Sequence, residues 1–171
     1  MVSEVRIADE TGQSVEPGIA GEILIRGASV MLGYWQQPDI TRQTLRDGWL
    51  HTGDVGVMDE EGFVRIADRL KDMIVTGGEN VFCGEVENVI SEHPDVTACA
   101  VVGLPDEKWG ERVHAVAVIK EGAKLTEKAL RDHCKTLIAG YKCPRSATFT
   151  TDPLPLSAVG KVRKDLIRNQ L

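Results

Sequence analysis

Val96-Thr-Ala-Cys-Ala-Val-Val102 and Val113-His-Ala-Val-Ala-Val-Ile119 are two strongly apolar stretches, rich in β-branched residues, in a chain of 171 residues. Runs of this length and composition predict buried strands. Working outward, residues 84–92 place Val86, Val89 and Ile90 on one face and stop at Pro94, which predicts a helix. Downstream, Thr126 reads as an N-cap. Ala129, Leu130, Cys134, Leu137 and Ile138 then recur at the helical period. Met73 to Thr76 reads as a short strand, Ala147 to Thr150 as a third principal strand, and Lys164 to Asn169 as a last helical turn or two. Three strands with helices on a face predict an α+β domain of ~100 residues, set here at residues 71–171.

The first seventy residues have a different texture. Val2, Val5 and Ile7 form an apolar series ending at the turn Asp9-Glu-Thr-Gly12. Pro17-Gly18 punctuates again, and residues 21–26 read as a strand. Asp39 caps a brief helix through Leu45, closed by Asp47-Gly48. Residues 57–67 read as a hairpin with Glu61-Gly62 at its turn. Short strands at close spacing predict a small barrel or a distorted sheet over residues 1–70. A barrel piece beginning at residue 1 would leave an unpaired edge. It is therefore expected to pair with sequence outside this chain or with another chain. The domain boundary falls near Asp68 to Lys71.

Composition narrows the function. Hydrophobic residues make up 42% and charged residues 27%, with a net charge of −6 and acids and bases interspersed. No basic stripe supports nucleic-acid binding. No apolar run approaches the ~20 residues of a membrane span. Cys83, Cys99, Cys134 and Cys143 form no C-x-x-C pair, and His51, His93, His114 and His133 add no zinc spacing. No metal site is expected, and buried or incidental thiols suit a reducing cytoplasm.

Three strings carry the chemistry. Gly48-Trp-Leu-His-Thr-Gly-Asp54-Val-Gly56 presents a carboxylate among glycines. Such a carboxylate can accept two hydrogen bonds from a vicinal diol, each worth ~1.5–3 kcal/mol. Asp68-Arg69-Leu-Lys71-Asp-Met-Ile-Val-Thr-Gly77-Gly78-Glu-Asn80 offers a guanidinium fork at Arg69. Its paired glycines leave room for a ligand to pass close to the backbone. Pro155-Leu-Ser-Ala-Val-Gly160-Lys161-Val-Arg-Lys164 sets an ammonium beside a glycine in a loop. At ~4 Å from a phosphate or carboxylate oxygen such a cation gains ~4 kcal/mol at an effective dielectric of 20. Each string alone also fits a turn or a solvated surface.

In this order and spacing the three strings resemble the carboxyl-terminal portion of AMP-forming acyl-CoA synthetases, of the adenylate-forming superfamily. The resemblance covers nearly the whole chain. It implies that Asp54 holds the ribose hydroxyls of AMP and that Arg69 lies near ribose and phosphate. It implies that Lys71 is the hinge, and that Gly77 and Gly78 line the pantetheine tunnel. Gly103-Leu-Pro105-Asp106-Glu-Lys-Trp109-Gly110-Glu111 resembles a loop that presents an aromatic ring to pantetheine, which assigns Trp109. Tyr141-Lys142-Cys143-Pro144 matches a further family string. Where the family has a proline before its E-V-E sequence, this chain has Cys83-Gly84 ahead of Glu85-Val86-Glu87.

Lys161 is the catalytic candidate. Attack of a carboxylate on the α-phosphorus builds negative charge that a delivered cation stabilises selectively. The implied substrates are a carboxylic acid, ATP and CoA, with Mg²⁺ entering through ATP on ligands outside this chain. No phosphate-binding glycine-rich loop and no acyl pocket is legible. The expected role is the small mobile C-terminal domain, 71–171, preceded by a β-rich fragment, 1–70, of a larger domain. That describes a truncated gene product or a split subunit, inactive alone. Two alternatives stay open. One is a non-catalytic module binding nucleotide, CoA or a partner. The other is part of a peptide-synthetase adenylation domain.

Overall fold

The computed structural model describes residues 3–171; Val2, the first member of the apolar series Val2, Val5 and Ile7, lies outside the described residues. The chain divides into two compact units, Met1–Lys71 and Asp72–Leu171.

The first unit contains β1 (Ser3–Ala8), β2 (Ala20–Gly27), α1 (Pro38–Thr44), β3 (Leu45–Arg46), β4 (Trp49–Met58) and β5 (Val64–Arg69). They form one antiparallel sheet in the order β1-β2-β4-β3, with β5 also on β4. The sheet is distorted, because the register slips twice along β4. Glu22 pairs with Val55 but Leu24 pairs with His51, so three residues of β4 face one of β2. Opposite β5, a second shift falls between Val55 and Gly56. Gly56 is required at this crossing, since a Cβ there would sit 2.8 Å from the Ile23 side chain. The β4–β5 turn is closed by Asp59, whose Oδ1 accepts the N–H groups of Glu61 and Phe63. Apolar burial is thin. Ala8, Leu24 and Trp49 form a cluster, and Arg6 and Arg26 stack their guanidinium groups over the Trp49 ring.

The second unit contains β6 (Ile74–Thr76), β7 (Glu79–Val81), α2 (Cys83–Ser91), β8 (Val96–Asp106), β9 (Gly110–Ile119), α3 (Glu127–Lys135), β10 (Ser146–Thr150) and α4 (Lys164–Gln170). β9 is central. It takes β8 antiparallel along one side, β10 parallel on the other, and β6 at its first residue through the pair Thr76–Gly110. The sheet has five strands where the sequence marks three principal ones; β7 and the short β6 form a small hairpin at its edge. β8 and β9 are buried on both faces, which is why their sequences are continuously apolar instead of alternating. Val101, Val113, Ala115 and Ala117 pack with Val86, Ile90 and Leu130 from α2 and α3. Ala100, Val102, Leu104 and Val116 belong to a second cluster, with Ile167 of α4.

Two boundaries differ markedly from the sequence reading. β8 runs through Gly103, Leu104 and Pro105 to Asp106, so the expected loop 103–111 shrinks to a tight turn at residues 107–109. Proline is tolerated because β8 pairs on one side only, and an edge position needs no N–H there. α3 begins as expected, with Thr126 Oγ1 accepting the Ala129 N–H, but it ends at Lys135. Leu137, the fourth member of the helical stripe, is exposed.

Candidate functional site

Asp54 and Arg69 come together because their strands pair. They are directly opposite in the β4–β5 register, and Arg69 Nε lies 2.8 Å from Asp54 Oδ1 in an ion pair. The carboxylate is 28% exposed and the guanidinium 52%, so both remain open to a ligand from solvent. An ionised carboxylate has about four lone-pair sites, which leaves acceptor capacity for a diol beyond the arginine contact. The bulge on β4 sets this geometry. Gly53 takes φ +70° within it, and its N–H donates to Glu22 Oε1 at 3.0 Å. Glu22 Oε2 lies 2.7 Å from His51 Nδ1, and Thr52 Oγ1 donates to the Ile23 carbonyl. Bulges of this kind re-aim side chains next to functional sites. Sequence reasoning missed Glu22. Its only signal was an acid inside the apolar stretch Gly21-Glu22-Ile-Leu-Ile.

Gly77, Gly78 and Trp109 are likewise brought together, in the second unit. Gly77 has φ +63° and donates its N–H to the Trp109 carbonyl at 2.9 Å. A Cβ on Gly77 would lie 2.8 Å from the indole, whereas one on Gly78 would meet nothing within 4 Å. The glycine pair therefore has one member packed on the ring and one facing open space. Trp109 itself is held by Asp106, whose Oδ1 accepts the Lys108 and Trp109 N–H groups. Two cations lie over its ring, Arg145 at 4.4 Å and Lys108 at 4.7 Å from the centroid. Neither cation was singled out from sequence.

Lys161 lies in the second unit, in the segment between β10 and α4. A turn over residues 157–161 holds it: the Ser157 N–H donates to the Lys161 carbonyl at 2.7 Å, and the Lys161 N–H donates to Ser157 Oγ at 3.1 Å. Gly160, at φ +78°, makes that turn possible. Leu156 and Val162 bridge at its base, where Val162 packs on the Ile167 cluster. The side chain is exposed, and among the described residues no ion pair engages its ammonium. Lys71 is exposed in the single 3-10 turn Leu70–Asp72, where the chain passes from one unit to the next.

The acids of Glu85-Val86-Glu87 are both paired. Glu85 takes Lys142 on both oxygens at 2.7 Å, and Glu87 takes Lys164 at 2.8 Å. Val86 between them is fully buried. Lys142 thus gives the Tyr141-Lys142-Cys143-Pro144 string a role, fastening its loop to α2. The four cysteines form no disulfide among the described residues. Burial pushes the Cys134 thiol up to about 11 and raises Cys99 and Cys143, so these thiols stay protonated at neutral pH and are poor nucleophiles. Among the described residues no group of three His, Cys, Asp or Glu could hold a metal, and no helix is long and apolar enough to cross a membrane.

Comparison with known proteins gives a consistent picture. Residues 85–161 match the family model of the AMP-binding enzyme C-terminal domain. Over 98% of its length the chain is 46% identical to a feruloyl-CoA synthase from Amycolatopsis, covering 34% of that protein. It is 48% identical to a long-chain-fatty-acid–CoA ligase of Yersinia pestis, again over 98% of the chain and covering 30% of the ligase. The solved structure of ATP-bound MatB from Rhodopseudomonas palustris superimposes with a TM-score of 0.89 at 38% identity, covering 98% of this chain and 34% of that one. The chain therefore spans about a third of the length of the relatives it matches.

Proposed function

We propose that this chain, which corresponds to the carboxyl-terminal portion of AMP-forming acyl-CoA synthetases, supplies the mobile cation and the thioester-forming face of such an enzyme. Residues 71–171 act as the small C-terminal domain, and residues 1–70 are part of the larger domain. The observation that carries this reading is the contrast in charge pairing: Asp54 and Arg69 are locked to each other in a sheet, while Lys161 is unengaged among the described residues at the end of an exposed turn.

In the first half-reaction a carboxylate oxygen attacks the α-phosphorus of ATP, and the bond to pyrophosphate breaks. Asp54 accepts hydrogen bonds from the ribose hydroxyls and Arg69 lies beside ribose and phosphate. Lys161 stabilises charge developing on the α-phosphoryl and carboxylate oxygens. Mg²⁺, bound with ATP on ligands outside this chain, would supply charge neutralisation at the phosphates. In the second half-reaction the CoA thiolate attacks the acyl carbon and AMP departs. For that step the small domain turns about Lys71, which withdraws Lys161 and brings the Gly77-Gly78 turn and Trp109 to the pantetheine arm. Open space beside Gly78 supports the passage of so slender a group. Cysteines that stay out of disulfides support a reducing, cytoplasmic setting.

Phosphate-cradling and acyl-binding parts belong to the remaining polypeptide of such ligases, so the 171-residue chain alone is expected to release no pyrophosphate from ATP and a carboxylic acid. The decisive test uses the full-length ligase carrying this sequence. Lys161→Ala should slow adenylate formation by roughly 10²–10³-fold. Thioester formation from supplied acyl-adenylate should stay within a few-fold of wild type. Equal loss in both half-reactions would remove Lys161 from the adenylation role.

A further inference from the structure

α4 begins three residues after Lys161, and its two cations at Lys164 and Arg168 are spaced i, i+4, on one face of the helix. Lys164 Nζ lies 2.8 Å from Glu87 Oε1, and the two side chains are only 15% and 24% exposed. The same oxygen accepts the Val101 N–H at 2.8 Å. Glu87 therefore joins three elements: α2, the outer edge of β8, and α4. One turn further on, Arg168 Nη2 reaches Asp72 Oδ1 at 3.2 Å, a carboxylate 14% exposed. Asp72 directly follows Lys71, and its carbonyl accepts the Cys83 thiol. Ile167, between the two ion pairs, is buried with Ala100, Val102, Leu104 and Val116.

The lysine turn has little packing of its own. Leu156 and Val159 are exposed, and only Leu154 and Val162 at its base reach the Ile167 cluster. Its orientation must therefore come from α4, the next element of the chain. We infer that Lys164 and Arg168 are positioning residues for Lys161: through Glu87 and Asp72 they make α4 a strut that ties the lysine turn to the edge of β8 and to the first residue after Lys71. Lys161 then moves as a rigid part of its unit, although among the described residues no ion pair fixes its ammonium. Such pre-orientation matters because a displacement of ~1 Å at the reacting centre can cost ~10²-fold in rate. The idea rests on the adenylation reading above, but its physical content is separable from that reading.

Hydrogen exchange on the 171-residue chain tests the strut without any catalysis. The reporters are the Ser157, Lys161 and Arg163 amides, which bond to the Lys161 carbonyl, Ser157 Oγ and the Pro155 carbonyl. Arg168→Gln and Lys164→Gln should each speed their exchange about three- to tenfold. Ala115 and Ala117 amides in the sheet should not change. Arg168→Lys keeps the cation and should retain wild-type protection. Lys164→Gln carries the test should Arg168→Gln not fold. Unchanged reporters in folded Lys164→Gln would overturn the strut. In the full-length ligase, Arg168→Gln should lower kcat for adenylate formation about tenfold, with KM for ATP within twofold and thioester formation intact. If exchange responds but Lys161→Ala leaves adenylation untouched, the strut stands and the catalytic reading falls. If Lys161→Ala abolishes adenylation while exchange is unmoved, the reverse holds.

Discussion

Asp54 and Lys161 are the two charges on which the proposed chemistry turns, and the chain holds them in opposite ways. Asp54 is built into a sheet: a bulge aims it, Glu22 braces the bulge, and Arg69 is paired opposite. Lys161 hangs from a five-residue turn whose own contacts are local hydrogen bonds. A group that binds a ligand gains from fixed geometry, because orientation is settled before the ligand arrives. A group that must arrive for one step and leave for the next gains from a free side chain on a well-anchored base. The cores behind them invert this order. Among the described residues, the unit carrying the loose lysine has fifteen buried residues in its main cluster, and the unit carrying the rigid aspartate has three in its own.

That inversion can be broken most forcefully by deleting core volume. Leu130 is buried between α3 and the sheet. Leu130→Ala should destabilise the second unit by about 2–5 kcal/mol, read as a lower urea midpoint by circular dichroism. Phe63 in the first unit is 69% exposed, and Phe63→Ala should change stability by no more than about 0.5 kcal/mol. Comparable losses from both would mean that Phe63 is packed as firmly as Leu130 and that the contrast between the two cores fails.

Backbone conformation sharpens the comparison next. Gly77 and Gly160 share a left-handed backbone, but only Gly77 has a neighbour where a Cβ would go. Alanine at Gly160 should cost about 1–2 kcal/mol from the torsion alone. At Gly77 the indole must also shift, so the loss should be larger, about 2–3 kcal/mol. Thermal melts of both variants give the ranking, and equal losses would show that Trp109 yields freely. A smaller effect is expected at the α3 cap. Thr126→Ala removes the acceptor for the Ala129 N–H and should cost about 1 kcal/mol, with no change at the lysine turn.

Sequence and structure agree most closely where a local rule decides the outcome. The apolar runs at 96–102 and 113–119, the Thr126 cap and the hairpin turn around Gly62 were legible because periodicity and turn chemistry act within a few residues. The groupings of Asp54 with Arg69, and of Gly77 with Trp109, depend on strand register and could not be counted off the chain; they were anticipated only through resemblance. Glu22, Arg145, Glu87 and Arg168 were missed. Each is a charged residue of ordinary surface type whose partner lies 14 to 96 positions away, counting Glu22 to Gly53, Glu87 to Val101 and Arg168 to Asp72 among them. No spacing rule reaches that far. The overlong loop at 103–111 came with the resemblance alone: the strand β8 runs on through Pro105 to Asp106, which an edge strand allows.

The smallest predicted effect concerns His114, a buried polar residue beside the apolar clusters of the second unit. Its Nδ1 lies 2.7 Å from Ser146 Oγ and its Nε2 3.2 Å from Thr148 Oγ1, so it stitches β9 to β10. Burial, with help from the nearby Arg112 charge, lowers its pKa below the ordinary histidine value. The unfolded chain therefore takes up this proton first as pH falls. Stability from the neutral ring is complete above about pH 6.5 and is lost as pH drops toward the lower folded value. Urea midpoints should fall between pH 7.5 and pH 5, and His114→Gln should flatten that dependence while leaving the rest of the curve. If the slope persists unchanged in His114→Gln, the titrating group lies elsewhere. Were Arg112 the main cause, Arg112→Gln would flatten it as strongly. With burial as the larger cause, that variant should remove only the lesser part.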